Sequence, residues 1–255
     1  MHFIWLNLFM LLGGIAGGLL SSIASMASLV SYPVLLMSGV PPLFANVTND
    51  AALIWTGIGS TTSSLKELRG HWRRTLILSL FTTIGSAIGC WLLLAFPSKI
   101  FTKVVPFFIA FSGVMILVSD RPKKDIKENY SLPVKLLWLA LLLIMGMYAG
   151  YFGAASGVVV LIVLTYLEKK ENFLVVNAMK NVVCAFANGT AFFIFLFTTR
   201  IYWDRAIPMA VGMLIGGWCG PRLLRHLNTH KVKIFIAILA FAQAGYYFYT
   251  AYLAH

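Results

Sequence analysis

The chain has 255 residues, of which 60% are hydrophobic and 11% are charged, and its formal net charge is +12. Soluble domains are usually about 25% charged, so this composition excludes an ordinary soluble domain. The apolar segments lack the alternation of a membrane β-barrel, and no basic stripe is interleaved with aromatics as in a nucleic-acid-binding surface. We therefore predict an all-α polytopic membrane protein that contacts the lipid bilayer and no nucleic acid.

Long apolar runs recur along the whole chain. They cover roughly residues 3–37, 42–65, 75–96, 104–119, 133–167, 173–199, 206–221 and 234–253. The longest polar connection lies near the middle of the chain and is rich in lysine and arginine. These features predict an N-terminal transmembrane repeat over 1–119, a basic cytoplasmic linker over 120–132 and a C-terminal transmembrane repeat over 133–255.

The first apolar run of each half is too long for one straight crossing. Residues 3–37 would form a helix of about 52 Å, whereas the hydrocarbon core of a bilayer is about 30 Å thick. Small residues interrupt both runs, from Ser21 to Ser28 and from Gly150 to Gly157. We predict that each half opens with a broken helix or a hairpin that returns to its starting side, followed by three transmembrane helices. The small residues suit ligand contact through bare backbone and close helix packing equally well.

Two charged residues lie well inside apolar runs. Asp50 is the one carboxylate in such a position, and Lys180 is the one lysine or arginine. A charge within a membrane span costs about 2.5–3.5 kcal/mol on insertion scales unless it is paired or hydrated. Both residues therefore need an explanation.

The two halves match each other when one is shifted along the chain. A shift of 129 residues aligns the small residues of the first run of each half, beginning with Gly17 and Gly146. Further along, a shift of 131 pairs Asn46 with Asn177, Asn49 with Lys180, Asp50 with Asn181, Trp72 with Trp203, Gly85 with Gly216 and Gly89 with Gly220. A pseudo-two-fold axis would therefore bring Asp50 and Lys180 near the centre of the protein.

The distribution of lysine and arginine favours returning hairpins. If every run crossed once, the two sides would hold 11 and 8 basic residues, which is nearly no bias. If runs 3–37 and 133–167 return to their own side, the counts become 15 and 4. The positive-inside rule prefers the second arrangement. It gives each half an odd number of crossings, which inverts the halves relative to each other and places both termini outside the cell.

We predict a central anion site around Lys180. Its expected substrate-binding residues are Lys180, Asn46, Asn49, Asn177, Asn181, Ser25, Ser28, Ser156 and Gly157. Asp50 would be the counter-charge of Lys180 or carry a coupling proton. The structural alternative is that Lys180 snorkels towards a helix end, or that the two residues form a purely structural pair.

Other chemistry finds little support in the sequence. The cysteines Cys90, Cys184 and Cys219 and the five histidines show no metal-ligand spacing, so no metal site is expected. There is no nucleophile elbow and no phosphate-binding glycine loop, so we predict no catalytic residues, no cofactor and no ATP-driven transport. An enzyme or a membrane assembly protein remains an alternative of a different class.

The arrangement of motifs resembles a known family. Each half has a Gly/Ser-rich break, a polar stretch such as Ala45-Asn46-Val47-Thr48-Asn49, an aromatic-basic loop and Gly-x-x-x-Gly. This is similar to the TauE/SafE family of sulfite and organosulfonate exporters. The resemblance implies a bacterial inner-membrane carrier of small anions, including sulfite, sulfonates, related sulfur compounds and some carboxylates. The first break departs from the family's glycine cluster, since it reads Ser25-Met26-Ala27-Ser28.

The function predicted from these observations is secondary transport of a small anion by alternating access, with proton coupling as an option. The alternatives are an ion channel or a cation-coupled carrier that uses Asp50 as its ligand. A homodimer is compatible with the sequence.

Overall fold

The protein is described by a computed structural model that covers residues 2–95, 106–107, 110, 114, 117, 132–151, 156–168 and 171–253. Within these residues the regular structure is helical throughout, which confirms the predicted all-α class. The predicted linker over 120–132 lies outside the described residues except for its last position.

The helices form two series, one in each half. In the first half they are α1 (His2–Ala24), α2 (Ser31–Met37), α3 (Pro42–Ser63), α4 (Leu65–Leu68) and α5 (Trp72–Ala95). In the second half they are α6 (Leu132–Tyr151), α7 (Ser156–Leu167), α8 (Phe173–Thr198), α9 (Trp203–His226) and α10 (Thr229–Phe248). A 3-10 turn, Ala27–Leu29, lies between α1 and α2, and a π-helical turn, Tyr249–Leu253, follows α10.

Four of these helices are long and apolar enough to cross a membrane. They are Ile4–Ala24, Trp72–Ala95, Phe173–Thr198 and Trp203–His226. Helix α3 has 22 residues but is less apolar, because it carries polar residues that other helices cover. Three of them, Thr48, Asn49 and Asp50, are each at most 4% exposed. Helix α3 therefore has a buried polar face, whereas Trp55 and Ile58 on the helix are exposed.

Both opening segments form hairpins, and residues 152–155 of the second predicted break lie outside the described residues. Along α1 and α2, Gly17 lies against Ser31 and Gly13 lies against Val34, so the two helices run in opposite directions. In the second half, Trp138 near the start of α6 stacks on Tyr166 near the end of α7, with ring centroids 6.1 Å apart. Each opening segment therefore folds back on itself.

Glycines let two pairs of helices pack backbone to backbone. Gly212 and Gly216 of α9 lie on the carbonyls of Leu11 and Ile15 in α1. In the same way, Gly85 and Gly89 of α5 lie on the carbonyls of Leu143 and Met147 in α6. In both pairs the residue numbers rise together, so each pair of helices is parallel. Exchange of the halves converts one interface into the other, as a pseudo-two-fold axis requires.

The same contacts correct the predicted register of the first helices by one residue. Gly216 lies on the carbonyl of Ile15, and its equivalent, Gly85, lies on the carbonyl of Leu143. Ile15 and Leu143 are therefore equivalent, so a shift of 128, from 15 to 143, relates α1 to α6. The sequence predicted 129 because Gly17 and Gly18 are adjacent and either can be aligned with Gly146. Contact geometry resolves this ambiguity: Gly18 lies on Met213 as Gly146 lies on Thr82.

Three ion pairs join loops at one end of the bundle, which we call the ion-pair face. They are Arg225–Glu67 at 2.7 Å, Arg74–Glu168 at 2.6 Å and His71–Glu171 at 3.1 Å. Hydrogen bonds from Arg225 lower the pKa of Glu67, whereas burial raises the pKa of Glu168 despite the nearby Arg74.

The ion-pair face fixes the relative direction of the halves. Helix α5 begins at this face and α9 ends there. Because α1 is parallel to α9 and α6 is parallel to α5, α1 approaches the face and α6 leaves it. The two halves are therefore inverted relative to each other.

Candidate functional site

The two hairpins meet inside the bundle at Ser25 and Gly157, which we call the hairpin tips. A Cβ built on Gly157 would lie 2.5 Å from the Cβ and 2.7 Å from the Oγ of Ser25. Ser25 itself has a φ of 60°, in the left-handed region that residues other than glycine rarely adopt. Only a glycine at 157 leaves room for this serine, so the junction depends on both residues.

Helices α3 and α8 cross beside the hairpin tips. Gly57 of α3 has no side chain, and a Cβ at this position would collide with Ala185 of α8. The close crossing and the two tips together border a small polar cavity of about 40 Å³. This is space for roughly three water molecules, at about 10–15 Å³ each.

Six of the predicted substrate-binding residues line this cavity. They are Ser25, Ser28, Ser156, Gly157, Lys180 and Asn181. Both breaks and both halves contribute to the set. The structure thus brings together residues that are as much as 156 positions apart in the sequence, from 25 to 181.

Lys180 is held by the C-terminal end of α1. Its ammonium group donates hydrogen bonds of 3.3 Å to the carbonyl oxygens of both Ser21 and Ser22. The side-chain amides of Asn177 and Asn181 donate to the same Ser22 carbonyl at 3.0 and 3.2 Å. The partial negative charge of a helix C-terminus stabilises a cation there. The hydrogen-bond pattern therefore explains how a lysine that is only 1% exposed is accommodated.

Lys180 also lines the cavity. A lysine ammonium has three N–H donors, and two of those on Lys180 reach α1 carbonyls. Around the same cavity, the hydroxyl oxygens of Ser25 and Thr56 are buried and have no hydrogen-bond partner among the described residues. A buried polar group without a partner costs about 1–3 kcal/mol. A cation and unpaired hydroxyl donors around one small space suit an anionic ligand.

Several lining residues were not predicted from the sequence. Thr56, Ser60, Cys184 and Asn188 also border the cavity. Thr56 and Ser60 are four residues apart on α3, and Asn188 follows Asn181 by seven residues on α8, so each pair shares a helix face. Extending the helical spacing outwards from Asn49 and Lys180 would have identified this polar stripe.

The remaining predicted residues lie away from the cavity wall. Asn177 positions the end of α1 through its bond to Ser22. Asn49 is 1% exposed and its side-chain oxygen has no partner within the described part of the chain, while Asn46 is partly buried. Neither Asn46 nor Asn49 borders the described cavity.

Asp50 is buried but does not pair with Lys180. It is 4% exposed, and among the described residues no lysine, arginine or histidine forms an ion pair with it. Its electrostatic neighbour is the thiol of Cys90 on α5. The two embedded charges therefore occupy separate environments. Across the described residues, no group of three His, Cys, Asp or Glu side chains could hold a metal ion.

Inverted halves with interrupted helices that meet at a buried polar site are an arrangement that recurs among membrane transporters. Comparison with known proteins identifies the family. Residues 9–247 match the family model described as Sulfite exporter TauE/SafE, and the chain belongs to this family.

The curated relatives are described as transporters. A probable membrane transporter protein of Haemophilus influenzae is 24% identical, over 91% of this chain and 90% of its own length. The probable membrane transporter protein YfcA of Escherichia coli K12 is 22% identical, over 92% and 87%. The probable membrane transporter protein YunE of Bacillus subtilis is 23% identical, over 89% and 92%. No solved structure matches the chain. The protein is thus a multi-pass membrane transporter.

Proposed function

We propose that the protein is a secondary transporter that moves a small anion by alternating access between its inverted halves. The substrate class comprises sulfite, sulfonates, related sulfur compounds and small carboxylates. The observation that carries the proposal is Lys180, a buried ammonium group that borders a cavity at the junction of both hairpins. A bound oxyanion would accept from Lys180, Ser25 and Thr56 together.

The energetics favour an anion at this position. Two carbonyl oxygens give Lys180 partial compensation, but they carry partial charges and lie at 3.3 Å, which is long for a charged hydrogen bond. An anion would supply a full opposite charge in a medium of low dielectric constant, where the attraction is stronger than in water. The unpaired hydroxyl groups of Ser25 and Thr56 would gain partners at the same time.

Alternating access would act at the hairpin junction. The Ser25–Gly157 contact joins the two breaks, and one break belongs to each inverted half. Rocking of one half against the other would open this contact towards one side of the membrane and then the other. The positive-inside rule assigns the ion-pair face to the cytoplasm of a bacterial inner membrane, with both termini outside.

The test is anion flux into proteoliposomes by the Lys180→Ala variant. We expect flux of labelled sulfite, or of the anion that a thermal-shift screen selects, to be lost while the variant remains folded. The matched control is Lys231→Ala, which removes an exposed lysine at the start of α10. Normal flux in Lys180→Ala would contradict the proposal, and loss of flux in both variants would remove its support.

A second candidate is a cation channel or a cation-coupled carrier centred on Asp50. The observation in its favour is that this carboxylate is buried without an ion pair among the described residues. Binding measurements separate the two. A cation site loses affinity on Asp50→Asn, whereas an anion site loses affinity on Lys180→Ala.

A further inference from the structure

The pseudo-symmetry relates the surroundings of Lys180 to those of Asp50. The shift of 131 maps Asn177, Lys180 and Asn181 of α8 onto Asn46, Asn49 and Asp50 of α3. The shift of 128 maps Ser22, near the end of α1, onto Gly150, near the end of α6. Each set of three polar residues is therefore matched with the carbonyl end of a helix from the other half.

The two carbonyl ends receive different donors. The carbonyl of Ser22 accepts from Asn177, Lys180 and Asn181. The carbonyl of Gly150 accepts from the thiol of Cys90 at 3.3 Å, and this thiol is the electrostatic neighbour of Asp50. A thiol is a weak donor. Among the described residues, the end of α6 thus receives fewer and weaker side-chain donors than the end of α1.

An ionised carboxylate is unfavourable in this environment. The C-terminal end of a helix carries partial negative charge, so a carboxylate beside it is repelled. The side-chain oxygen of Asn49, next to Asp50, is a further buried acceptor without a partner in the described part of the chain. The titratable group facing Asp50 from α5 is Cys90, which belongs to an apolar cluster with Ala191 and Phe195 of α8 and Ala206 of α9. Within the described part of the chain, acceptors lie near Asp50 and no cation pairs with it.

We propose that Asp50 binds the coupling proton of the transporter and, when protonated, donates a hydrogen bond to the carbonyl end of α6 near Gly150. Asn181 shows the geometry of this state, because its amide donates to the equivalent carbonyl of Ser22. A protonated carboxyl group has one O–H donor, as needed for that bond, and loses it on deprotonation.

Release of the proton would then remove the proposed hydrogen bond from Asp50 to the second hairpin. The carboxylate would face the carbonyl end of α6 without a donor, and the hairpin that begins with α6 also carries Gly157 in the anion cavity. The hairpin that begins with α6 therefore links proton loss at Asp50 to rearrangement of the anion cavity. The coupling role of this proton rests on the proposed transport function, whereas the proton site itself does not depend on the substrate.

The first arm of the test is infrared difference spectroscopy on purified protein shifted from acidic to alkaline pH. Wild type should lose the carbonyl stretch of a buried protonated carboxyl group. Asp50→Asn should lack this band, and the control Asp204→Asn, at an exposed carboxylate, should retain it. Asparagine preserves the donor seen at Asn181, so Asp50→Asn should remain folded, and Asp50→Glu should restore a band. Identical spectra for wild type and Asp50→Asn would overturn the proposal.

The second arm uses labelled sulfite in proteoliposomes. A pH gradient should stimulate sulfite uptake by wild type. In Asp50→Asn, uptake with the gradient should equal uptake without it, while exchange of labelled for unlabelled sulfite (counterflow) should be retained. The proton site would be overturned if a pH gradient still stimulated uptake by Asp50→Asn. It would also be overturned if wild-type uptake followed a sodium gradient and the infrared band were absent. Lys180→Ala should lose both uptake and counterflow. If wild type carries no sulfite, the proposed function fails for that probe, and the infrared arm alone decides the proton site.

Discussion

The ends of α1 and α6 are equivalent positions of a duplicated structure with opposite chemistry. At the Lys180 end, an ammonium group and two amides converge on the carbonyl of Ser22. At the Asp50 end, the side-chain donor to the carbonyl of Gly150 within the described residues is the Cys90 thiol. Inversion of the halves places two equivalent helix ends near the centre of the protein. The halves differ at two paired positions, Asn49/Lys180 and Asp50/Asn181. These differences place a cation at the end of α1 and an acid near the end of α6.

The largest expected effect comes from making the two ends alike. Asn181→Asp would place a carboxylate beside Lys180 and remove a donor to Ser22. We expect a loss of anion binding of about 2 kcal/mol, or roughly thirtyfold, at neutral pH, because the new charge repels the anion and pairs with Lys180. Protonation at acidic pH should restore part of the affinity. The measurement is binding of the anion across a pH series.

Asn228→Asp is the matched control, because it introduces the same charge at an exposed cap of α10, where aspartate also caps well. Equal affinities for wild type and Asn181→Asp would show that the Lys180 end does not contact the anion.

A smaller effect is expected at the hairpin junction. Gly157→Ala would press a methyl group against Ser25 and Cys184. Overpacking of this kind costs about 1–3 kcal/mol, and here it also narrows the cavity, so both the melting temperature and the anion affinity should fall. The thermal melting profile and anion binding in detergent measure the two consequences.

Ser25→Gly in the same chain should restore the melting temperature, since it removes the clashing side chain and suits the positive φ at this position. The anion affinity should recover only in part, because the Ser25 hydroxyl donor is lost. Failure of the double variant to recover would mean that the junction is not held by this contact. Gly189→Ala, which has open space around it, is the neutral comparison.

The smallest effect is expected at the ion-pair face, where charges are paired and partly hydrated. Hydrogen bonds from Arg225 lower the pKa of Glu67 below its ordinary value of 4.5. The contribution of this pair is therefore fully present above pH 4.5 and is lost as the pH falls through the lowered pKa. Glu67→Gln should cost about 0.5–1 kcal/mol at neutral pH and nothing at strongly acidic pH. Melting temperatures of the two proteins across this range provide the measurement, and a difference that persists in acid would contradict it.

Much of the fold could be predicted from the sequence, because membrane insertion constrains length and charge so strongly. The excess length of residues 3–37, with the basic-residue count, predicted the returning segments and the inverted halves. The one-residue error between Gly17 and Gly18 arose because adjacent glycines are interchangeable in an alignment and distinct in a packed interface. The domain boundaries around 120–132 stay a prediction.

The site was predicted in part. Lys180 was evident because a lone embedded lysine is conspicuous, and the small residues of the breaks followed from the same reasoning. The partner of Lys180 was not evident, because it is backbone: the carbonyl groups of Ser21 and Ser22 leave no signature in the side-chain sequence. The expectation that Asp50 neutralises Lys180 came from treating charges as side-chain pairs alone. The structure shows that a helix end can take the place of a carboxylate.

The most direct test of the anion site is binding to purified wild type and Lys180→Gln, measured by thermal shift with sulfite, thiosulfate, a small sulfonate and acetate. Glutamine keeps hydrogen-bond donors near the carbonyl groups of Ser21 and Ser22 but removes the charge. At least one of these anions should raise the melting temperature of wild type, and that rise should vanish in Lys180→Gln. An equal rise in both proteins would contradict a role for the Lys180 charge in binding the anion.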